Sequence, residues 1–476
     1  MKYKSIATIK TTEALHTKLR NLGMDLPFPL LDVTESSPLA ESFTLKNGFV
    51  IGNRFCIHPM EGWDGTSDGK PTTHTTRRWR NFGVSGAKLI WGGEAVTVSH
   101  AGRANPNQLL INHETAPLLQ KLLRELIDSH KDNHGTVDDL LVGLQLTHSG
   151  RFSKPDRSDK FEPKTLYRHP YLEEKFHTQQ SAHILSDEEI EAIIQQFIHA
   201  AILAEQIGFQ FVDIKHCHGY LGHEFLSART RPGRFGGSFA NRTRFLREIV
   251  AGIRQLAPSL SIGVRLSAFD LIAFSPHPDT KIGCPVQTNG YLQPFGAAEQ
   301  DFLQIDLTET RQFLQLCEDL GIQLINLTAG SPYYNPHIQR PAMFPPSDGY
   351  KPPEDPILGV LRQIGVTAAL KAEFPNLAIV GTGYSYLQEW LPTVAISAVT
   401  AKAVDFVGLG RMVLSYPEYP SVILKDQKPD KKRLCRTFSD CTTAPRCGLI
   451  SGCYPLDHYY RDSPEFEELQ KYKHAD

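Results

Sequence analysis

Residues 215–225, KHCHGYLGHEF, place Lys215, His216, Cys217, His218, Tyr220, His223 and Glu224 within eleven positions. Side chains of these types ligate metals, donate hydrogen bonds to a substrate oxygen, or move protons. A metal site would draw on His216, His218 and His223, the ligand set of a barrel hydrolase. Helical spacing does not hold across His218-Gly219-Tyr220 and no HExxH pattern is present, so no metal is expected. His223 and Glu224 read as the start of the next element, with structural roles. His148, in THSGR, reads more readily as a satisfied rim histidine than as a functional one.

A second candidate lies near the C-terminal end, in VGTGYSY and GLGRMVL. Gly381, Gly383 and Gly410 let backbone N–H groups approach a ligand closely, and Arg411 adds a planar fork of donors suited to phosphate. A lone GTG or GR is more often a tight turn. Position along the chain gives this pair its weight.

The elements that must carry these residues alternate. Eight short apolar, β-branched runs, NRFCIH, AKLIW, LLVGLQL, FVDIK, SIGVRL, IQLINL, LAIVG and VDFVGL, are separated by amphipathic segments. Between the third and fourth, Ser186 and Glu189 have capping-box spacing, and Ile190, Ile193, Ile194, Phe197 and Ala201 fall on one helical face. Before the fifth, Phe245, Ile249, Ile253 and Leu256 repeat at similar spacing; Asp306 and Glu309 open the helix before the sixth. Strand and helix repeated without a composition break predict an α/β fold, a (β/α)8 TIM barrel. Loops after its seventh and eighth strands are the usual phosphate seat, which is where the glycines and Arg411 fall.

Alternation along each strand then sorts side chains. Val142, Leu144 and Leu146 face outward and Gln145 inward; Asp213 and Lys215 face inward on the fourth strand and Arg265 on the fifth, whereas His216 faces outward. Buried amides and cations need partners, so an anionic, polar guest is expected at the barrel mouth. The competing reading is an internal ion pair between Asp213 and Lys215.

Lys and Arg total 50 against 52 Asp and Glu, for a net charge of -2, which leaves no electrostatic footprint for nucleic acid. The first thirty residues lack an apolar segment of signal-peptide length, and no run of about 18 apolar residues occurs anywhere. A cytoplasmic protein acting on a small molecule is expected, with no nucleic-acid or membrane partner; a monomer and a homo-oligomer are both compatible with the sequence. Three parts are expected: an N-terminal extension (1–47), the barrel (48–425), and a C-terminal extension packed on it (426–476). Long Pro- and Gly-rich segments after the fifth and sixth strands carry enough aromatic residues to act as covers, with Tyr333 or Tyr334 lining a pocket.

The stretches NRFCIHPMEG, LIWGGEAV, GRANPNQL, LQLTHSGR, HGYLGHEFLS, GRFGGSFANRTRFLREIV, VRLS, VGTG and VGLGRMVL resemble the Old Yellow Enzyme family of FMN-dependent ene-reductases. The likeness covers residues 48–420 and is to the larger branch, similar to 2,4-dienoyl-CoA reductase. It implies FMN held by the backbone around Pro59 and Met60, by Gly93, by Gln145 at the pyrimidine edge and by Arg265 near N1 and O2, with Gly383, Gly410 and Arg411 on the phosphate. It implies NAD(P)H as reductant and an activated C=C bond as substrate. Lys215 and His218 would bind the electron-withdrawing group, and Tyr220 would protonate the α-carbon. Lys215 departs from the family's usual His and suits an anionic or carboxylate-bearing substrate. Glu61 stands where relatives often carry Thr or Cys beside the flavin C4 carbonyl; turned inward it must be protonated or paired, with Lys215 a candidate partner, and otherwise it is a surface turn residue. Cys435, Cys441, Cys447 and Cys453 recur every six residues, whereas larger relatives hold a [4Fe–4S] cluster with C-x2-C-x3-C and a distant fourth Cys. Phe438 and Thr442 occupy two of those ligand positions, so the spacing argues against a cluster. Alternatives within the fold are an oxidative dehydrogenase or demethylase, and a flavin-binding protein without turnover.

Overall fold

A computed structural model describes residues 3–31, 37–347 and 349–474. Each of the eight expected runs forms a parallel strand: β1 Phe55–Ile57, β2 Leu89–Ile90, β3 Leu141–Thr147, β4 Phe211–Ile214, β5 Ser261–Ser267, β6 Leu324–Thr328, β7 Ala378–Gly381 and β8 Phe406–Leu409. Neighbours in sequence are neighbours in the sheet, and β8 pairs back onto β1 through Gly408↔Cys56, so the sheet closes. Helices α1 Thr73–Val84, α2 Ala116–His134, α3 Asp187–Gln206, α4 Arg244–Leu256, α5 Thr308–Asp319, α6 Pro356–Glu373, α7 Leu391–Thr400 and α8 Tyr419–Leu424 follow the strands in turn. The chain is a (β/α)8 barrel.

Local chemistry explains the helix ends. Ser186 and Glu189 cap α3 reciprocally, and Ile190, Ile193, Ile194, Phe197 and Ala201 are all buried against the barrel. In α4 the expected stripe holds through Ile253, but Leu256 is 53% exposed, because it is the last residue of the helix and extends past the packed turn. None of the described helices is long and apolar enough to cross a membrane.

The barrel interior changes character along its axis. At one end Cys56, Leu89, Leu141, Phe211, Leu324, Ala378 and Phe406 pack together with Trp91, and Phe43, Leu45, Phe49 and Ile51 close that end. Each fully buried Leu, Ile or Phe among them contributes about 1.5–3 kcal/mol. Phe43–Thr44 pairs with Val50–Ile51 as a hairpin, so a boundary at residue 47 falls within its turn. One pleat further along, the inward positions become Gln145, Lys215, Arg265 and Asn326, all buried. Stability resides at the apolar end and polar chemistry at the other.

The described residues beyond 425 contribute to this polar end through positions 441–460. Arg77 of α1 pairs with Asp457 at 2.8 Å, and the Trp63 N–H donates to Ser451 Oγ at 2.9 Å. The long segment after β5 is not structureless: Phe274–Pro276 pairs antiparallel with Gly283–Pro285.

Candidate active site

A cavity of about 600 Å³ opens at the polar end, lined by residues from most of the strand termini, the two long loops and the C-terminal extension. Gln145, Lys215 and Arg265 meet there, as the alternation of β3, β4 and β5 requires. Asp213 does not pair with Lys215. Its Oδ2 accepts from Gln145 Nε2 at 2.5 Å and Trp91 Nε1 at 2.8 Å, and its Oδ1 accepts from the Arg265 backbone N–H at 2.6 Å. Burial raises its carboxyl to about 6. Asp213 thus acts as a clamp, fixing the amide of Gln145 and the start of the Arg265 side chain.

Arg265 donates from Nη1 to the Pro59 carbonyl at 3.2 Å, and the Met60 N–H donates to the Gly93 carbonyl at 3.3 Å. Pro59 and Met60 line the cavity. Gly93 lies behind Met60, where any Cβ would stand 2.8 Å from the Trp79 ring. Gly383, Gly410 and Arg411 line the opposite part, while Gly381 sits behind the wall against Val404 and Tyr384. Gly383 has φ of 93°, a conformation that side-chain-bearing residues rarely adopt. A Cβ on Gly410 would meet only the Met60 side chain, at 3.6 Å from Sδ, so the missing side chain leaves room in the cavity.

The donor set fits a flavin mononucleotide. Arg265 Nε and Arg411 Nη1 are buried without a hydrogen-bond partner among the described residues, and both side chains line the cavity. Arg411 Nη2 is anchored on the Pro341 carbonyl at 2.9 Å, which leaves its other arm for an anion beside open Gly410.

A second cluster faces the same space. His218 has φ of 66°, a left-handed conformation that costs about 1–3 kcal/mol for a non-glycine residue. It is held by its N–H on Ser267 Oγ at 3.1 Å and by its carbonyl accepting from Ser331 Oγ at 2.8 Å, so the ends of β5 and β6 fix this turn. Burial, with Arg265 and Lys215 adding to it, keeps the His218 imidazole far below its usual range and therefore neutral. Lys215 Nζ lies 3.8 Å from the Tyr220 ring centroid. Burial also lowers Lys215.

The Tyr220 hydroxyl donates to Glu61 Oε2 at 2.6 Å and meets the Tyr333 hydroxyl at 3.0 Å. Glu61 Oε1 accepts from Asn105 Nδ2 at 3.3 Å. Glu61 thus points into the cavity with Tyr220, not Lys215, as its hydrogen-bond partner. Burial first and the Glu61 charge second hold Tyr220 well above the ordinary phenol range. Of the two loop tyrosines, Tyr333 lines the cavity, its ring stacked on Phe152 at 4.0 Å. Tyr334 turns away and donates to Asp270 Oδ2 at 2.5 Å.

His216 faces outward, as expected, against Phe245 and Phe313, and His223 Nδ1 accepts from the Gly219 N–H at 2.9 Å. Glu224 binds Arg151 at 2.7 Å. Among the described residues no three His, Cys, Asp or Glu side chains are grouped as a metal requires. Cys441 and Cys453 line the cavity, and Cys435, Cys441, Cys447 and Cys453 form no disulfide among the described residues.

Sequence reasoning missed His58, Gln339, Arg340 and Arg446, which also line the cavity. Extending the alternation of β1 one residue past Ile57 finds His58. Gln339 and Arg340 come from the end of a four-residue helix, Pro336–Gln339, and Arg446 from the C-terminal extension, where no periodicity marks them.

The fold is similar to that of the Old Yellow Enzyme homologue from Zymomonas mobilis, with a TM-score of 0.56 over 83% of this chain and 94% of that one, at 19% identity. The NADPH dehydrogenase of Bacillus subtilis is 36% identical over 236 residues, which is 48% of this chain and 62% of that protein. That of Clostridium acetobutylicum is 30% identical over 234 residues, 48% of this chain and 64% of its own length. The chain thus matches less than two thirds of either relative. Residues 38–277 match the NADH:flavin oxidoreductase / NADH oxidase family, and the chain belongs to that family.

Proposed function

We propose that this chain is an FMN-dependent oxidoreductase that uses NAD(P)H to reduce an activated C=C bond. The observation that carries the reading is that a single cavity joins Gln145, Arg265 and Arg411 to Lys215, His218 and Tyr220. When bound, FMN would supply two-electron hydride chemistry between a nicotinamide and the alkene. Arg265 and Gln145 would hold its pyrimidine edge, the Arg265 charge favouring the reduced anion, and Arg411 with the backbone of Gly383 and Gly410 would hold its phosphate.

The residues of the second cluster divide the remaining work. Lys215 and His218 bind the electron-withdrawing group and draw electron density from the β-carbon. Tyr220 delivers a proton to the α-carbon. Burial and Glu61 raise its pKa, so it is protonated at neutral pH and has a proton to deliver. The related NADPH dehydrogenases support a nicotinamide as the electron source.

The test is direct. The purified protein should show a flavin absorbance spectrum, bleach anaerobically with NADPH or NADH, and regain colour on adding an enone or enoate with one saturated product per nicotinamide consumed. A colourless protein refutes the proposal, and bleaching without recovery across a panel of activated alkenes refutes its second half.

A further inference from the structure

Lys215 is 5% exposed and lines the cavity, yet its ammonium has no hydrogen-bond or ion-pair partner among the described residues, and the Tyr220 ring centroid lies 3.8 Å from it. The two carboxylates near enough to act on it are both engaged. Asp213 is committed to Gln145, Trp91 and the Arg265 backbone, and Glu61 to Tyr220 and Asn105. Arg265 adds repulsion. A buried cation left so is costly unless a guest anion completes it. The surrounding wall has the same sign: nine Lys and Arg side chains line the cavity against two carboxylates, Glu61 and Asp457. Arg77 is tied to Asp457 and Arg78 to Asp64 and Glu94, and a bound FMN would draw on Arg265 and Arg411.

Building on the function proposed above, we infer that the alkene is an α,β-unsaturated carboxylate, its carboxylate held between the Lys215 ammonium and a His218 ring N–H. The chemistry explains why a full cation stands there. Hydride addition to the β-carbon of a neutral enone places one negative charge on the carbonyl oxygen, which a neutral donor stabilises. The same addition to an enoate places a second negative charge on a group already anionic, so a point charge in a water-poor site is what lowers that barrier. The overall change is R–CH=CH–CO2⁻ with NAD(P)H and H⁺ giving R–CH2–CH2–CO2⁻ and NAD(P)⁺. The hydride goes to the β-carbon and the Tyr220 proton to the α-carbon.

Binding is read first, by titration calorimetry of the purified holoenzyme with benzoate and its neutral isostere benzamide. Wild type should prefer benzoate by about 100-fold, the range of a charge-assisted hydrogen bond, and Lys215→Gln should level the two. Turnover of cinnamate and methyl cinnamate follows. Lys215→Gln should lose about 100-fold in kcat/KM on the acid and far less on the ester. Lys215→Arg, which keeps the charge, should retain the benzoate preference and guards against a merely misfolded Gln variant. Equal affinity for benzoate and benzamide in wild type, or a preference unchanged in Lys215→Gln, overturns the inference. The function proposed above survives that result provided NAD(P)H still bleaches the flavin; failure to bleach sinks that function whatever the titration gives.

Discussion

The Tyr220 hydroxyl and Glu61 Oε2 are 2.6 Å apart, so the hydroxyl of the proposed acid is hydrogen-bonded to a carboxylate in the protein before any substrate arrives. On its other side the Lys215 ammonium lies 3.8 Å from the ring centroid. The carboxylate disfavours the phenolate and the ammonium favours it; burial with Glu61 prevails, and Tyr220 stays protonated. Glu61→Gln keeps a hydrogen-bond acceptor and removes the charge. Tyr220 is active as the acid, below its pKa, and Glu61 raises that pKa. The alkaline limb of the alkene-reducing step should therefore move to lower pH in the variant, by about one unit. Rapid mixing of reduced enzyme with alkene across pH measures it. A limb that stays in place removes Glu61 from this role.

Tyr220→Phe deletes the proton and leaves Glu61 facing a hydrocarbon edge. Proton donation by a positioned side chain is worth about 10²–10⁴-fold, so alkene reduction should slow by that factor. Flavin reduction by NAD(P)H needs no such proton and should change much less. Stopped-flow measurement of each half-reaction separates the two, and equal losses contradict the assignment.

The sequence signals that worked share a physical origin. A barrel strand is a short apolar run whose alternate residues face the axis, so Gln145, Lys215 and Arg265 could be placed inside before any coordinates, and His58 needed only one more step of the same count. Where periodicity stops, so does legibility. Tyr333 and Tyr334 are adjacent in a loop, and which one enters the cavity depends on Asp270 capturing the other. Gly381 and Gly383 look alike in VGTG, yet one ends a strand behind the wall and the other lies in the turn facing the ligand space. Gln339 and Arg446 reach the site from a single helical turn after β6 and from the C-terminal extension, carried by tertiary packing that leaves no local pattern. The partner of Glu61 was equally hidden, since Tyr220 lies 159 positions away in sequence.

Arg411 offers a separate check on the cofactor. Its free Nη1 beside Gly410 is assigned to a phosphate, and a charge-assisted hydrogen bond is worth about 1.5–3 kcal/mol. Arg411→Ala should weaken FMN binding by roughly 10- to 150-fold while leaving the weaker binding of riboflavin, which has no phosphate, nearly unchanged. Fluorescence titration of the apoprotein with both ligands reads the difference. Parallel losses for the two would assign Arg411 to packing.

Glu94 bears on stability. It is 1% exposed and touches Arg78 Nη2, but Arg78 is already bound by Asp64 through contacts of 2.6 and 2.8 Å. Burial is the largest influence on Glu94 and raises its pKa from 4.5 to about 7, with Asp64 adding to burial and Arg78 opposing it. The folded protein therefore holds this proton more tightly than the unfolded chain. The stability it contributes is full below about pH 4.5 and is lost as pH rises through about 7. Between pH 5 and 8 the loss should be about 2–3 kcal/mol from this group alone. Glu94→Gln, neutral throughout, should show a correspondingly smaller decline over that interval, measured from urea unfolding at each pH. An identical decline in both proteins would mean that Arg78 holds Glu94 ionised across the whole range, and that one guanidinium suffices for two buried carboxylates.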